Sequence, residues 1–178
     1  MSLIGWDLGS AKCGWAAGAG DTVPVASGFR LDPITPAEIG DLGSQFTDRV
    51  MAVHKRFPKA THWISERPLL VPTDHRFTLE QLMGLSFLLA TLGRRLGKTV
   101  KLVENGEAKM ALAGRHASKD DMVRMAEHLG VKLPVQKVDG REDAADAVGV
   151  WLVGIRLYAR QHLTRWDQAI YSNRGGLL

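Results

Sequence analysis

The chain opens with apolar runs too short for helices and punctuated by glycine. Residues 3–8 read as a buried strand and Gly9-Ser10 as a turn. Residues 13–17 and 23–31 follow as two further strands, with Gly20-Asp21 as the hairpin signal between them. Three strands in quick succession predict an antiparallel meander. Pro33 and Pro36 then break the pattern, and Thr35-Pro36 suits an N-cap followed by proline at the first helical position. From there to Lys55 the apolar period lengthens, and Ile39, Leu42, Phe46, Val50 and Val53 share one helical face.

Residues 61–65 read as a fourth strand, stopped by Pro68, with a loop carrying Pro72, Asp74, His75 and Arg76 behind it. A helix over 79–96 follows. Its apolar set of Leu79, Leu82, Met83, Leu85, Phe87, Leu88, Leu89, Leu92 and Leu96 is wider than one stripe. That width predicts packing on two sides, one against the sheet and the other against a second subunit. Residues 99–103 give a fifth strand. Ser118 opens a helix with an S-x-x-D capping pattern ending at Asp121, and Gly130 closes it. A final helix runs from near Glu142 to about Arg160. The expected fold is therefore α/β, a five-stranded mixed sheet with its first three strands antiparallel and helices on its faces.

Composition narrows the class. At 178 residues, 45% hydrophobic and 24% charged, the chain suffices for one packed domain and is not disordered. One cysteine, Cys13, excludes an internal disulfide framework and predicts a reducing compartment. No basic run precedes an apolar block at the N-terminus, and no apolar stretch would span a bilayer, so a cytoplasmic protein without membrane contact is expected. The net charge is +4, and +3 of it falls after residue 155, where Arg156, Arg160, Arg165 and Arg174 face only Asp167. A polyanionic partner fits this balance without being required by it. Residues 1–160 are expected to form the domain and 161–178 a basic tail.

Four carboxylates stand out. Asp7 lies within I-G-W-D-L-G, where a buried strand should be apolar; it either ends the strand and bonds the following turn, or acts as a metal ligand or general base. Glu66 ends the W-I-S segment, at the strand terminus where α/β sheets build sites; the alternative is a surface pair with Arg67. In R-E-D-A-A-D-A-V-G-V-W-L, Asp143 and Asp146 are three apart on one helical face, and capping explains Asp143 better than Asp146. Glu142 beside them reads as a cap or as a weak backup to the pair. Together these acids predict a site for hard divalent cations, Mg²⁺ or Mn²⁺. Two such ions suit phosphodiester hydrolysis, and the positive charge would relieve mutual repulsion among the carboxylates.

The chain resembles the RuvC family of Holliday junction resolvases, within the ribonuclease H-like superfamily, and most closely its phage or prophage-type members. The residues that carry the resemblance are G-W-D-L-G at 5–9, S-E-R-P at 65–68, G-R-H-A-S-K at 114–119 and D-A-A-D-A at 143–147. Their order and spacing agree over roughly residues 3–155. The resemblance implies a ribonuclease H-like domain and a metal-dependent endonuclease that resolves four-way DNA junctions by paired nicks, with two Mg²⁺ per site. Asp7, Glu66, Asp143 and Asp146 match the family's catalytic acids, and Lys119 matches its S-K lysine. It also implies a homodimer. Two matched cuts call for two identical sites, and the 79–96 helix is the candidate interface, the alternative being a helix buried by its own chain.

Lys119, Arg115 and His116 cluster at a helix N-terminus, a favourable place for phosphate. Lys12, His75 and Arg76 are further candidates for DNA contact. In place of the aromatic residue that many family members carry after the strand carboxylate stand Leu69 and Leu70, with Phe77 as a possible substitute. After Arg160, Arg165, Trp166, Tyr171 and Arg174 read as a DNA-contacting arm, a dimer-stabilising extension or a solvated tail. Competing readings are a YqgF-like nuclease acting on RNA, a junction-binding protein of the same fold without activity, and an actin-like or sugar-kinase phosphotransferase. The last needs two lobes.

Overall fold

A computed structural model of the chain describes residues 1–68, 76–104, 106–136 and 140–174. Strands β1 (Ser2–Leu8), β2 (Lys12–Ala19), β3 (Val25–Arg30), β4 (His62–Glu66) and β5 (Thr99–Val103) form one sheet in the order β3-β2-β1-β4-β5. The first three strands are antiparallel, and β1–β4 and β4–β5 are parallel. The mixed five-stranded sheet with an antiparallel start is thus the one the sequence predicts. Alternation along β1 divides the core. Ile4 and Trp6 point to one layer with Trp15 and Trp63, and Leu3 points to the other with Ala16 and Ile64.

Helices α1 (Ile39–Arg56) and α2 (Arg76–Arg95) cover the first face. A proline-led 3-10 turn, Pro36–Glu38, precedes α1, and the Glu38 carboxylate accepts from the Thr35 backbone N–H at 2.8 Å. Leu42, Phe46, Val50 and Val53 are buried as expected, but Ile39 is not; at the first turn it is 46% exposed. Arg76 is not in a loop. It opens α2 and pairs with Glu80 four residues on, at 2.9 Å. Leu85 and Leu89 of α2 reach the core, while Met83 and Phe87 point away, 52% and 76% exposed.

Helices α3 (Glu107–Leu112), α4 (Lys119–His128), α5 (Arg141–Tyr158) and α6 (Leu163–Arg174) build the second face. The expected capping box is present on α4: Ser118 N–H donates to Asp121 at 2.9 Å and Asp121 N–H to Ser118 Oγ at 3.2 Å. Helix α5 is buried on all sides from Ala147 to Ile155, which accounts for its weak amphipathic pattern. It ends at Tyr158, slightly short of expectation, and α6 follows after a 3-10 turn. Helix α6 is therefore packed on the domain rather than solvated as a tail. Trp166 and Ile170 are both 2% exposed. Trp166 packs edge-on against Trp151 at 5.3 Å and donates its indole N–H to the Gly20 carbonyl at 2.7 Å. No helix among the described residues is long and apolar enough to cross a membrane.

Two glycines set how closely α5 approaches the sheet. A Cβ on Gly5 would sit 2.6 Å from the Ala147 carbonyl oxygen and closer still to Trp151 N. One on Gly14 would run into the Asp143 carbonyl. Gly14 lies directly opposite Asp7 in the β1–β2 ladder, and Gly5 precedes Asp7 by two on the same face. The bare backbone beside Asp7 is what brings the first turns of α5 down onto it.

Candidate active site

The acids meet at the end of the sheet where β1 and β4 finish. Asp7, Glu66 and Asp146 line one cleft of about 290 Å³, together with Gly106, Ala108, Lys109, Arg115 and Val150. Strand β1 runs through Asp7 to Leu8, so the residue does not terminate the strand. Glu66 does not pair with Arg67, whose guanidinium instead meets Glu104 at 3.0 Å. One oxygen of Glu66, Oε1, accepts both the Gly106 and Ala108 N–H groups at 3.1 Å, tying the carboxylate to the first turn of α3.

Asp143 does not line the cleft, but it lies near enough to act on the acids that do. Burial holds the Asp7 carboxyl well above the usual carboxylate range, and the charges of Asp146 and Asp143 push it further. Burial likewise lifts Asp146 to about 6, with Lys119 opposing and Asp143 reinforcing the shift. Glu66 is raised chiefly by burial, against the pull of its two backbone donors. Asp146 Oδ1 is buried with no hydrogen-bond partner. An orphaned carboxylate oxygen among mutually repelling acids is costly, and a hard cation is the partner such a donor set fits. Among the described residues, no three His, Cys, Asp or Glu side chains stand close enough to hold one ion between them, so coordination requires these side chains to close inward.

The cations divide. Lys119 Nζ lies 3.8 Å from both Asp146 Oδ2 and Glu142 Oε2, so Glu142 is a partner of the site lysine as well as an α5 first-turn acid. Arg115 lines the cleft; His116 beside it is exposed in the same turn and is not among the lining residues. Lys12 starts β2 and Arg76 starts α2, and neither lines the cleft. His75, Leu69 and Leu70 lie outside the described residues. Sequence reasoning missed Lys109. It lines the cleft, lowers the Asp146 and Glu66 carboxyls by its charge, and donates from Nζ to the Ala117 carbonyl at 3.2 Å. An isolated lysine in a six-residue helix leaves no periodic trace in a sequence.

No protein-family model matches the chain, and no curated protein matches it by sequence. Solved structures do. RuvC of Thermus thermophilus is similar with a TM-score of 0.63 at 23% identity, over 90% of this chain and 96% of that one. The T. thermophilus RuvC in complex with Holliday junction substrate gives a TM-score of 0.66 at 20% identity, with the same coverage. The yeast mitochondrial Holliday junction resolvase Ydc2 gives 0.52 at 16% identity, over 91% of this chain and 83% of that one. The chain is RuvC-like in fold, an α/β domain of the ribonuclease H-like type, along nearly its whole length.

Proposed function

We propose that this RuvC-like chain is a metal-dependent endonuclease that resolves four-way DNA junctions. The observation that carries the reading is the convergence of Asp7, Glu66 and Asp146, from three separate elements, on one cleft walled by Lys109 and Arg115. Acids gathered at such mutual cost suit an enzyme that uses divalent cations. A protein that only binds DNA has no use for that repulsion. Asp7, Glu66 and Asp146, with Asp143 at the margin, would hold Mg²⁺ or Mn²⁺, two per site. When bound, the metal supplies charge neutralisation at the phosphodiester and activation of the attacking water.

The chain's own groups do the rest. Lys119, beside Asp146, meets a non-bridging oxygen of the scissile phosphate, and Arg115 draws the backbone into the cleft. Lys109 holds the turn carrying Arg115 through its bond to Ala117. Glu66, fixed at one oxygen, offers the other to the cleft in a set orientation. Two nicks on one junction call for two copies of the site. The exposed Met83 and Phe87 of α2 are the surface we assign to a homodimer contact.

Labelled four-way, flap and plain duplex DNA, incubated with Mg²⁺ or with EDTA, test the proposal. Symmetrical nicks in the junction, present with Mg²⁺ and absent with EDTA, are expected. Equal cutting of all three substrates, or cutting in EDTA, overturns it.

A further inference from the structure

Beyond the cleft, a second basic feature lies at the open edge of the sheet. Among the described residues strand β3 pairs only with β2, and beside it Ser27, Gly28, Phe29, Arg30 and Asp32, with Arg49 of α1 and Pro134, line a pocket of about 320 Å³. Arg30 and Arg49 are both exposed. Among the described residues, no hydrogen bond or ion pair engages either guanidinium, and Asp32 is the one acid in the lining. Two guanidiniums at the wall of one pocket repel each other, and an anion seated between them turns that repulsion into attraction.

The location ties this edge to the cleft. Asp7 pairs with Gly14, and Gly14 with Gly28, so Gly28 is two strands from Asp7 in one row across the sheet. With strands spaced by ~4.8 Å and residues by ~3.4 Å, Arg30 lies roughly 12 Å from Asp7, Cα to Cα. We propose that Arg30 and Arg49 form a second phosphate subsite, which grips the backbone of the DNA arm within a few nucleotides of the cut. The subsite rests on the junction-endonuclease reading and adds to it an anchor outside the cleft.

The test compares wild type with the Arg30→Gln/Arg49→Gln double variant, and with Arg94→Gln/Arg95→Gln at the far end of α2 as a control of equal charge. Affinity for a four-way junction is measured in EDTA across a salt series, with thermal melting to verify the fold. Losing two phosphate contacts should flatten the log–log salt slope by about 1.8 and weaken binding roughly tenfold or more at moderate salt. With Mg²⁺ and saturating protein, the nicking rate should stay within about twofold. The control variant should keep the wild-type slope. An unchanged slope in the edge variant, or equal losses in both variants, overturns the subsite while leaving the cleft reading intact. Wild type that neither binds nor nicks the junction overturns that reading, and the subsite with it.

Discussion

Gly5 of β1 lies against the backbone of Trp151 in α5, so closely that a single methyl group has nowhere to go. Because Gly5 and Asp7 share a face of the strand, the same contact sets the height of Asp146 above Asp7. Gly5→Ala must lift α5 off the sheet. We expect a loss of about 1–3 kcal/mol of stability and a larger proportional loss of nicking, because the carboxylates separate. Melting and cleavage measured on one preparation check this; full activity in a destabilised variant would show that the approach of α5 matters only for packing.

Asp7→Asn and Asp146→Asn should abolish cleavage yet keep or tighten junction binding, since each removes a negative charge from the cleft to which we assign the DNA backbone. Near-normal nicking by either variant would remove that residue from the catalytic set.

The raised Asp146 carboxyl makes a pH prediction with a definite sign. Its pKa is about 6 in the folded protein against an ordinary 3.8, so between those values the folded state holds its proton more tightly than the unfolded chain. The favourable protonated state is fully present below about pH 4, and stability falls as pH rises through about 6. At 1.36 kcal/mol per pKa unit the loss is about 2–3 kcal/mol in metal-free protein. In EDTA, Asp146→Asn should therefore match wild type near pH 4 and exceed it in melting temperature at pH 7. Adding Mg²⁺ at pH 7 should raise wild type more than the variant. A constant difference from pH 4 to pH 7 would contradict this.

Trp166 anchors α6 through its bond to Gly20 and its edge contact with Trp151. Trp166→Ala should cost about 3–5 kcal/mol, and truncation after Tyr158 should expose Trp151 and lower the melting temperature markedly. Chemical denaturation reads both; a truncated chain with unchanged stability would make α6 an appendage.

If α2 is the dimer surface, Phe87→Glu should convert a dimer into a monomer in sedimentation while leaving the melting of the monomer close to wild type, because the side chain is already exposed. A dimer that persists would place the contact elsewhere.

Much of this arrangement was legible before any coordinates. Strand alternation and glycine turns placed β1 to β3, and the Ser118–Asp121 box placed α4. Glu66 ends β4 and Asp143 stands in the first turn of α5, both at the element boundaries where the sequence places them. What escaped has physical causes. Helix α3 spans six residues, under two turns, too few for a 3.6-residue period to appear. Helix α6 shows Leu163, Trp166 and Ile170 at helical spacing, a pattern that the cations Arg160, Arg165 and Arg174 obscured by inviting a nucleic-acid reading. Arg76 belongs to a helix that starts three residues before the apolar set of 79–96, and Ile39 shows that membership of an apolar stripe does not guarantee burial at a first turn. The pairing of Lys119 with Glu142 is long-range and left no mark at the level of local pattern.

Glu66 has one further consequence. Because Gly106 and Ala108 both give their hydrogens to the same oxygen, the carboxylate and the corner after β5 are mechanically one piece. A small tilt of that corner swings the acid with it, so pressure applied there from outside reaches the acid cleft through two short links and no intervening side chain.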